Sequence, residues 1–337
     1  MARVGLMGFG RIGRNVFRLL EGTDGVEVAG IADVADPAAL TYLLKYDSIY
    51  GRYPKPVELD GTDLKVNGHV IPFLSAQEPG DVDWGALGVD IVIQATGKYR
   101  THEWCEKHIA AGAKRVILAS TPEAADDVPI LLRGINDEIL TPDLDVVSLG
   151  SNTSNALAPI LRIINEAWGL ERAYFTTVHA FTNMARLADV PTSSFRSSRA
   201  AGENIIPAET NSPEIMTAVM PEFEDKLSAM ALNVPVPDGS TVDLVAFVEN
   251  ATTTEEVNET VRKQVVAHYP EVIEYVEDPI VSSDVIGSSQ SGNFDSLATL
   301  VVDGTMIKSI IWFDNGWGYS VRIIEVLNKM IEQLEEV

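Results

Sequence analysis

The spacing of apolar residues changes character near residue 150. Before that point, short apolar runs alternate with segments whose apolar residues recur every three or four positions, which predicts parallel strands connected by helices. After it, apolar and polar residues tend to alternate, which favours a mixed or antiparallel sheet with one covered face. We therefore predict an α/β protein in which a doubly wound parallel sheet is followed by an α+β domain.

The predicted elements account for most of the 337 residues, a length that itself suggests two domains. The predicted strands are 2–7, 26–32, 90–94, 115–119, 144–147, 174–180, 227–234, 241–248, 298–302 and 306–313. The predicted helices are 15–20, 101–112, 153–168, 213–221, 254–267 and 317–334. Residues 181–206 show no periodicity, and an irregular segment of that length is usually functional.

A glycine-rich turn follows the first predicted strand and opens a helix. Gly8, Gly10 and Gly13 form the pattern GxGxxG, and Asp33 follows the second strand, twenty residues after Gly13. In this context the glycines permit a tight turn, a close approach of backbone to a pyrophosphate, and packing of the helix on the strand. Asp33 would accept a hydrogen bond from the ribose 2′-hydroxyl and disfavour a 2′-phosphate, so we expect NAD rather than NADP.

Composition restricts the possible partners. Asp and Glu outnumber Lys and Arg by 49 to 25, and the net charge of −24 repels polyanions, so we expect neither nucleic acid nor an anionic membrane as a partner. The sequence contains no run of about 18 apolar residues, and its N-terminus lacks the pattern of a signal peptide. The single cysteine, Cys105, excludes an internal disulfide and a Cys-based metal site, which fits a cytoplasmic protein.

A second candidate site begins where the strand 144–147 leads into the helix 153–168. The connecting stretch, SLGSNTSNALAP (Ser148–Pro159), is rich in small polar residues, and a helix N-terminus favours anions and reactive oxygens. His179 lies on the next predicted strand, in the sequence VHAFT. Small polar residues at a helix start together with a His on the next strand are a common arrangement for acid–base chemistry.

These two stretches resemble the glyceraldehyde-3-phosphate dehydrogenase family. SLGSNTSNALAP aligns without a gap to the family signature SNASCTTNCLAP, and VHAFT is similar to VHAYT. The resemblance extends over the whole chain and implies a Rossmann-type NAD-binding domain at residues 1–151, completed by a C-terminal helix at 317–337, and a catalytic domain at 152–316. In the family, the signature Cys is the nucleophile and the His its base; here Asn152 occupies the Cys position, and His179 is retained.

The resemblance also implies a nearly complete set of cofactor residues. ATGKY and LASTP are similar to the family's STGVF and ISAPS, and WFDNGWGYS contains Asn315, which would hold the nicotinamide carboxamide. The implied cofactor residues are Gly8, Phe9, Gly10, Arg11, Ile12 and Gly13 at the pyrophosphate, Asp33, Thr96, Gly97 and Tyr99 at the adenosine side, Ser120 at the nicotinamide ribose, and Asn315.

The implied substrate residues depart from the family pattern. Ser151 and Thr153 flank Asn152, and Thr182 and Arg199 match the family, but MALNVP places Asn233 where the family has Arg. ETN, which includes Glu209 and Thr210, replaces STG. Loss of a guanidinium and gain of a carboxylate predict that phosphorylated substrates and inorganic phosphate are disfavoured. Glu209 either recognises an amine or a hydroxyl, or points to solvent.

Three functions remain open at this stage. The first is an NAD-dependent oxidoreductase without covalent catalysis, in which hydride passes directly from a small, polar, unphosphorylated substrate, His179 acts as base and Asn152 binds the substrate oxygen. The second is a non-catalytic NAD-binding homologue with a regulatory or structural role. The third is phosphorylating aldehyde oxidation with another nucleophile. No metal is expected, and the resemblance implies a homo-oligomer, a tetramer in the family.

Overall fold

The computed structural model describes residues 1–21, 23, 25–182 and 185–335, so the last two residues of the predicted C-terminal helix lie outside it. The chain forms two compact units. The first comprises Met1–Leu131, Asn136–Gly150 and the C-terminal residues from Ser320, and the second comprises Leu132–Ile135 and Ser151–Tyr319. Within the described ranges, no helix combines the length and the apolar character that crossing a membrane would need.

Strands and helices alternate along the first unit. They are β1 (Ala2–Met7), α1 (Arg11–Leu20), β2 (Val26–Asp33), α2 (Pro37–Lys45), β3 (Tyr46–Asp47), β4 (Gly51–Arg52), β5 (Val57–Asp60), β6 (Asp63–Val66), β7 (His69–Ile71), β8 (Phe73–Ser75), β9 (Ile91–Gln94), α3 (His102–Ala110), β10 (Arg115–Leu118) and β11 (Val146–Ser148). Six strands form a sheet in the order β11-β10-β9-β1-β2-β8, and all neighbours in it are parallel. The predicted Rossmann-type parallel sheet is therefore confirmed.

The sequence pattern does not predict α2 or the small antiparallel sheet β5-β6-β7. α2 begins at a recognisable signal, because the Asp36 side chain accepts from the Ala38 N–H at 2.9 Å and Pro37 occupies the first turn. The strands of the small sheet do alternate, with Val57 and Leu59 apolar in β5 and Leu64 and Val66 apolar in β6, but each strand is only three or four residues long, too short for its pattern to predict a strand. Both elements lie outside the main sheet.

The second unit is built on one large sheet. Its elements are α4 (Asn152–Trp168), β12 (Leu170–Ala180), β13 (Ile206–Ala208), α5 (Ser212–Val219), β14 (Leu227–Val234), β15 (Ser240–Val248), α6 (Thr254–His268), β16 (Ile273–Val276), β17 (Gly292–Val302) and β18 (Met306–Phe313). Seven strands pair in the order β13-β14-β12-β15-β18-β17-β16. The pairs β12–β14 and β16–β17 are parallel and the others antiparallel, so the predicted mixed sheet is confirmed.

α4 is the helix that positions the candidate site in this unit. The Ser151 hydroxyl accepts from the Ser154 N–H at 3.0 Å, and the Ser154 hydroxyl accepts from the Ser151 N–H at 2.9 Å, which forms a capping box. Leu157, Ile160 and Leu161 are fully buried, and the helix packs on β12, β15 and β18. Because both its start and its apolar face are fixed, α4 holds Asn152 in a defined place.

The last helix, α7 (Trp317–Glu335), contains the boundary between the two units near its start. Within the first unit, Arg115 on β10 is buried and donates from Nη1 to Gln333 Oε1 at 2.6 Å. The same guanidinium donates to the carbonyl oxygens of Leu144 and Thr141, at 2.8 and 2.9 Å. These bonds attach the end of α7 to the parallel sheet.

Candidate functional site

The glycine-rich turn joins β1 to α1 in the first unit. Gly8 has a φ of +96°, and a Cβ at Gly13 would lie 2.1 Å from the Gly8 carbonyl oxygen, so the turn requires glycine at both positions. A Cβ at Gly10 would meet no atom within 4 Å, because the backbone there faces open space. No side chain of the described residues caps α1, which leaves the N–H groups of its first turn available to an anion.

Asp33 ends β2 and is bonded to the glycine-rich turn. Its Oδ2 accepts from the Phe9 N–H at 2.7 Å, and its Oδ1 accepts from the Ala35 N–H at 2.9 Å. The carboxylate is partly exposed and has lone pairs left for a further donor. The Phe9 ring is not available to a ligand, because it is buried against Phe17 and Phe73.

Thr96, Gly97 and Tyr99, the residues predicted for the adenosine side, follow β9. Gly97 and Tyr99 have positive φ values of +69° and +53°, which bend the chain sharply at the end of the strand. The Tyr99 ring lies 4.7 Å from the Trp104 ring, and Lys107 Nζ lies 3.5 Å from the centre of the Trp104 ring. Trp104 and Lys107 belong to α3 and are not predicted from the sequence as site residues, since neither is part of a motif.

Ser120, Arg11 and Ile12 complete the predicted cofactor residues of the first unit. Ser120 follows β10, and its hydroxyl is buried without a hydrogen-bond partner among the residues that the structure describes. A buried hydroxyl without a partner is costly, so this position suits a bound polar group. Arg11 begins α1, is exposed, and lies 3.9 Å from Asp47, while Ile12 is partly buried.

The second unit brings Asn152, His179 and Asn315 together. Asn152 Nδ2 donates to the Asn315 carbonyl oxygen at 2.8 Å, and Asn315 Nδ2 lies 3.2 Å from His179 Nδ1. In this part of the described chain, Asn152 and His179 share no direct hydrogen bond and are connected through Asn315. The three residues predicted to surround the reacting atoms therefore form one cluster.

Most of the hydrogen-bonding capacity of the Asn152 side chain is used by neighbouring residues. It is the first residue of α4, and its Oδ1 accepts from the Thr153 N–H at 2.8 Å. Since one of its two amide hydrogens goes to the Asn315 carbonyl, one remains for a substrate oxygen. The role predicted for Asn152, donation to a substrate oxygen, thus depends on a single N–H.

His179 lies near the end of β12, with its Nδ1 2.6 Å from the Ala180 carbonyl oxygen and its ring edge-on to Phe313. Burial lowers the pKa of His179, because desolvation penalises the imidazolium form. The Ala180 carbonyl and the Asp238 carboxylate act in the opposite direction but do not cancel this shift. At neutral pH the ring is therefore uncharged and able to accept a proton.

Two buried residues that the sequence does not predict belong to the same cluster. Ser240 Oγ lies within hydrogen-bond distance of the Asn315 side-chain amide, at 2.7 Å, and the Asn315 backbone N–H donates to Asp238 Oδ1 at 3.0 Å. Both precede or begin β15, far from His179 in the sequence. Only the pairing of β15 with β12 and β18 brings them to the site.

Asn233 lies beside His179 in the sheet. β14 and β12 run parallel with Asn233 in register with His179, so their side chains are on the same face. β13 pairs Ile206 with Asn233, and Glu209 and Thr210 follow three and four positions later. Glu209 is exposed, and the Thr210 hydroxyl bonds within its own turn.

Arg199 and Thr182 lie in the irregular segment 181–206. Arg199 Nε donates to Asp189 Oδ2 at 3.1 Å, and both side chains are exposed, so the charge of Arg199 is already paired. Thr182 is also exposed. The structure thus places Asn233 beside His179 and leaves Arg199 engaged elsewhere.

Other nucleophiles are poorly suited to attack. The hydroxyl of Ser151 is used by the capping box of α4, and Thr153 is buried behind Asn152. Cys105 is fully buried on α3, and burial, with a smaller contribution from Asp127, raises its pKa to about 12. A thiol with that pKa is protonated at neutral pH and hence a weak nucleophile.

Comparison with known protein families gives a match in each of the two units. Residues 2–102 match the family model described as "Glyceraldehyde 3-phosphate dehydrogenase, NAD binding domain", and residues 151–315 match that of the "Glyceraldehyde 3-phosphate dehydrogenase, C-terminal domain". The chain belongs to the glyceraldehyde-3-phosphate dehydrogenase family.

Curated relatives match nearly the whole chain. A glyceraldehyde-3-phosphate dehydrogenase of Geobacillus stearothermophilus is 41% identical over 325 residues, which cover 96% of each protein. That of Streptomyces coelicolor is 42% identical over 327 residues, 96% of this chain and 97% of the relative. That of Borreliella burgdorferi is 39% identical over 339 residues, 98% of this chain and 100% of the relative.

Membership in the glyceraldehyde-3-phosphate dehydrogenase family indicates NAD as the cofactor. The residues of the first unit fit this cofactor. The uncapped start of α1 suits a pyrophosphate, the carboxylate of Asp33 has capacity for a ribose hydroxyl, and the Ser120 hydroxyl lacks a partner among the described residues.

We predict that NAD binds more tightly than NADP and that Asp33→Asn reduces this preference. Asn keeps an acceptor for the Phe9 N–H but removes the negative charge that would repel a 2′-phosphate. The ratio of the two affinities should change by about tenfold or more, equivalent to about 1.4 kcal/mol, as measured by titration calorimetry. Asp36→Asn, which keeps the cap of α2, is the matched control. Equal affinity of the wild type for NAD and NADP would contradict the role of Asp33.

Proposed function

We propose that the protein is an NAD-dependent oxidoreductase that works without a thiolate nucleophile. His179 takes the proton of a substrate hydroxyl, and Asn152 donates to the same oxygen as it becomes a carbonyl. Bound NAD would supply the acceptor for the hydride that leaves the carbon. The residues of this chain therefore bind the substrate, orient it and remove a proton, while no covalent bond forms to the protein.

The observation that carries this proposal is the state of His179. Its ring is neutral because burial lowers its pKa, and its Nδ1 is held by the Ala180 carbonyl and the Asn315 amide. A neutral, oriented imidazole is the form that a general base requires.

The substrate is proposed to be small, polar and unphosphorylated. Asn233 beside His179 provides no positive charge, and Arg199 is paired with Asp189. Glu209, near the end of the short strand β13, would repel a phosphate dianion. A hydroxyl or an amine meets these groups with better complementarity than a phosphate does.

The test is a survey of candidate substrates with the purified protein. Alcohols, polyols, amino alcohols, aldehydes and their phosphate esters would each be incubated with NAD, and NADH formation followed by absorbance. The proposal expects turnover of an unphosphorylated alcohol or aldehyde hydrate. Turnover restricted to phosphate esters would overturn the proposed substrate class.

We predict no ordinary conversion of glyceraldehyde 3-phosphate, NAD and inorganic phosphate to the acyl phosphate. Asn152 cannot attack the aldehyde, and Asn233 offers no charge to a phosphate. A turnover number in the usual range of about 1–1,000 per second would contradict this. Asn152→Cys should restore little of this activity, because the phosphate ligands are still missing. The control is trapping of the new thiol with a thiol reagent, which shows that the Cys is reactive.

A non-catalytic NAD-binding homologue is the second candidate function. It is favoured by the internal use of the Asn152 side chain, whose Oδ1 accepts from the Thr153 N–H and whose Nδ2 donates to the Asn315 carbonyl. These bonds would stabilise the start of α4 even without catalysis. NAD binding without turnover of any compound in the survey would support this alternative.

Phosphorylating aldehyde oxidation with another nucleophile is less well supported. The Ser151 hydroxyl caps α4, Thr153 is buried, and the thiol of Cys105 is protonated.

We also propose a cytoplasmic location, with which the single reduced cysteine is compatible.

We predict a homo-oligomer, most simply a tetramer, in which the segment 181–206 is covered. In this segment Leu187 is 84% exposed and Phe195 is 92% exposed, and large apolar side chains left in solvent are typical of an interface. Phe195→Glu should therefore lower the molar mass measured by light scattering at micromolar concentration. Ala267→Glu, which adds the same charge at an exposed position of α6 without removing a large apolar side chain, is the control and should leave the mass unchanged. A monomeric wild type would contradict the prediction.

A further inference from the structure

The two contacts of His179 Nδ1 restrict where its hydrogen can be. Nδ1 lies 2.6 Å from the Ala180 carbonyl oxygen and 3.2 Å from Asn315 Nδ2. A carbonyl oxygen only accepts hydrogen bonds, so the shorter contact is favourable only when Nδ1 carries a hydrogen. Without that hydrogen, two lone pairs would face each other at 2.6 Å.

A protonated Nδ1 also decides which end of the Asn315 amide faces it. The oxygen and nitrogen ends of an amide have the same shape, and their places follow from hydrogen bonding. An N–H group of Asn315 pointing at an N–H group of His179 would be unfavourable. We therefore expect the amide oxygen of Asn315 to face Nδ1 as a second acceptor and its nitrogen to face Ser240.

Ser240 contacts both partners of Nδ1. Its Oγ lies 2.7 Å from the Asn315 amide and accepts from the Ala180 N–H at 2.9 Å. A hydroxyl can act as donor or acceptor, so it bonds to the Asn315 amide in either orientation. Ser240 is only 1% exposed, so water molecules do not compete for these two hydrogen bonds.

The backbone before Ser240 is equally constrained. Gly239 has a φ of +81°, and a Cβ there would lie 1.9 Å from the Ser282 carbonyl oxygen. Only glycine fits this turn, which leads directly into β15 and fixes the direction of the Ser240 side chain. The sequence thus provides a rigid support for a single hydroxyl.

We propose that Ser240 is a positioning residue that, through the Asn315 amide and the Ala180 backbone, holds His179 with its hydrogen on Nδ1 and leaves Nε2 to accept a proton. The inference rests on the proposed function only in assigning a use to Nε2. It also gives the Asn315 side chain a role within the second unit, in addition to the cofactor contact implied by the family resemblance.

The test is the tautomer of His179, read by nuclear magnetic resonance. In deuterated protein with ¹⁵N-labelled histidine, the nitrogen shifts distinguish protonated from unprotonated ring nitrogens at about pH 8, where imidazole is neutral. His179→Asn assigns the signal. His108 is an internal reference of the opposite kind, because its Nδ1 accepts from Trp84 Nε1 at 2.9 Å and its hydrogen must be on Nε2.

The wild type is expected to show His179 with Nδ1 protonated, and Ser240→Ala a mixture of the two tautomers. Ser309→Ala is the matched control, since Ser309 is a buried serine of the same sheet whose hydroxyl has no partner among the described residues. Should Ser240→Ala not fold, Ser240→Cys keeps the size with a weaker donor and acceptor. A wild-type His179 protonated on Nε2, or an unchanged tautomer in the Ser240 variant, would overturn the proposal.

A kinetic readout separates this inference from the proposed function. With a substrate in hand, Ser240→Ala should lower kcat by about 10–100-fold, by analogy with the loss of residues that orient metal-ligating histidines, and Ser240→Thr should restore part of it. The KM for NAD should change little. If no substrate is turned over, the proposed function fails, whereas the tautomer measurement still decides the role of Ser240.

Discussion

Replacing His179 by Asn should lower turnover by about 10²–10⁴-fold, the usual effect of losing a positioned general base. NAD affinity should stay nearly unchanged, because the residues that fit the pyrophosphate and the adenosine ribose belong to the first unit. Asn has no ring nitrogen to accept the hydroxyl proton, but it is polar and smaller than His, so the fold should tolerate it. Turnover would be measured with the substrate found in the survey, and NAD binding by calorimetry.

His268→Asn is the control for this experiment, because His268 is an exposed residue at the end of α6. The pH dependence gives a second readout. Since burial lowers the pKa of His179 despite Asp238 nearby, the base stays uncharged to lower pH than an ordinary His, and the midpoint of the rise of oxidation with pH should lie below the usual imidazole pKa. Turnover of His179→Asn within a few-fold of wild type would exclude His179 as the base.

The strands of both sheets could be predicted where the buried residues are apolar. β14 and β18 begin and end as predicted, because each is a mostly apolar run bounded by residues that break it, Lys226 and Pro235 around β14 and Thr305 and Asp314 around β18. β17 begins at Gly292, whereas its prediction begins at 298 and is wrong there. Its first half is buried through Asn293, Asp295 and Ser296, so it shows no apolar pattern from which a strand could be predicted.

The site was predictable only in part. Motifs in the sequence predict Asn152, His179 and Asn315, and the structure brings them together. Ser240 and Asp238 lack a motif, and their position depends on which strands pair with β15. Hydrogen bonds between distant residues are decided by the assembled sheet, so a single sequence does not reveal them.

Stability should fall in mild acid, and much of that fall should come from His108. Trp84 and His108 are both fully buried, and Trp84 Nε1 donates to His108 Nδ1 at 2.9 Å. A second hydrogen on the ring would displace this bond and bury a positive charge. Burial accordingly lowers the pKa of His108 to about 4, from an ordinary value of 6.5.

The lowered pKa determines the direction of the effect. Between about pH 6.5 and pH 4 the unfolded chain binds a proton that the folded chain does not, so the free energy of unfolding decreases as the pH falls through this window. One pKa unit corresponds to about 1.4 kcal/mol, so His108 alone should contribute a loss of about 2 kcal/mol between pH 7 and pH 5. Above about pH 7.5 this contribution should be nearly constant.

The measurement compares the wild type with His108→Gln in urea unfolding at pH 7 and pH 5. Gln offers Trp84 an acceptor but does not titrate, so the variant should lose about 2 kcal/mol less than the wild type over this interval. Other groups with shifted pKa values, including His179, are present in both proteins and cancel in the difference. His69→Gln, at an exposed position of β7, should lose as much as the wild type. Equal losses in His108→Gln and the wild type would show that His108 does not control the acid sensitivity.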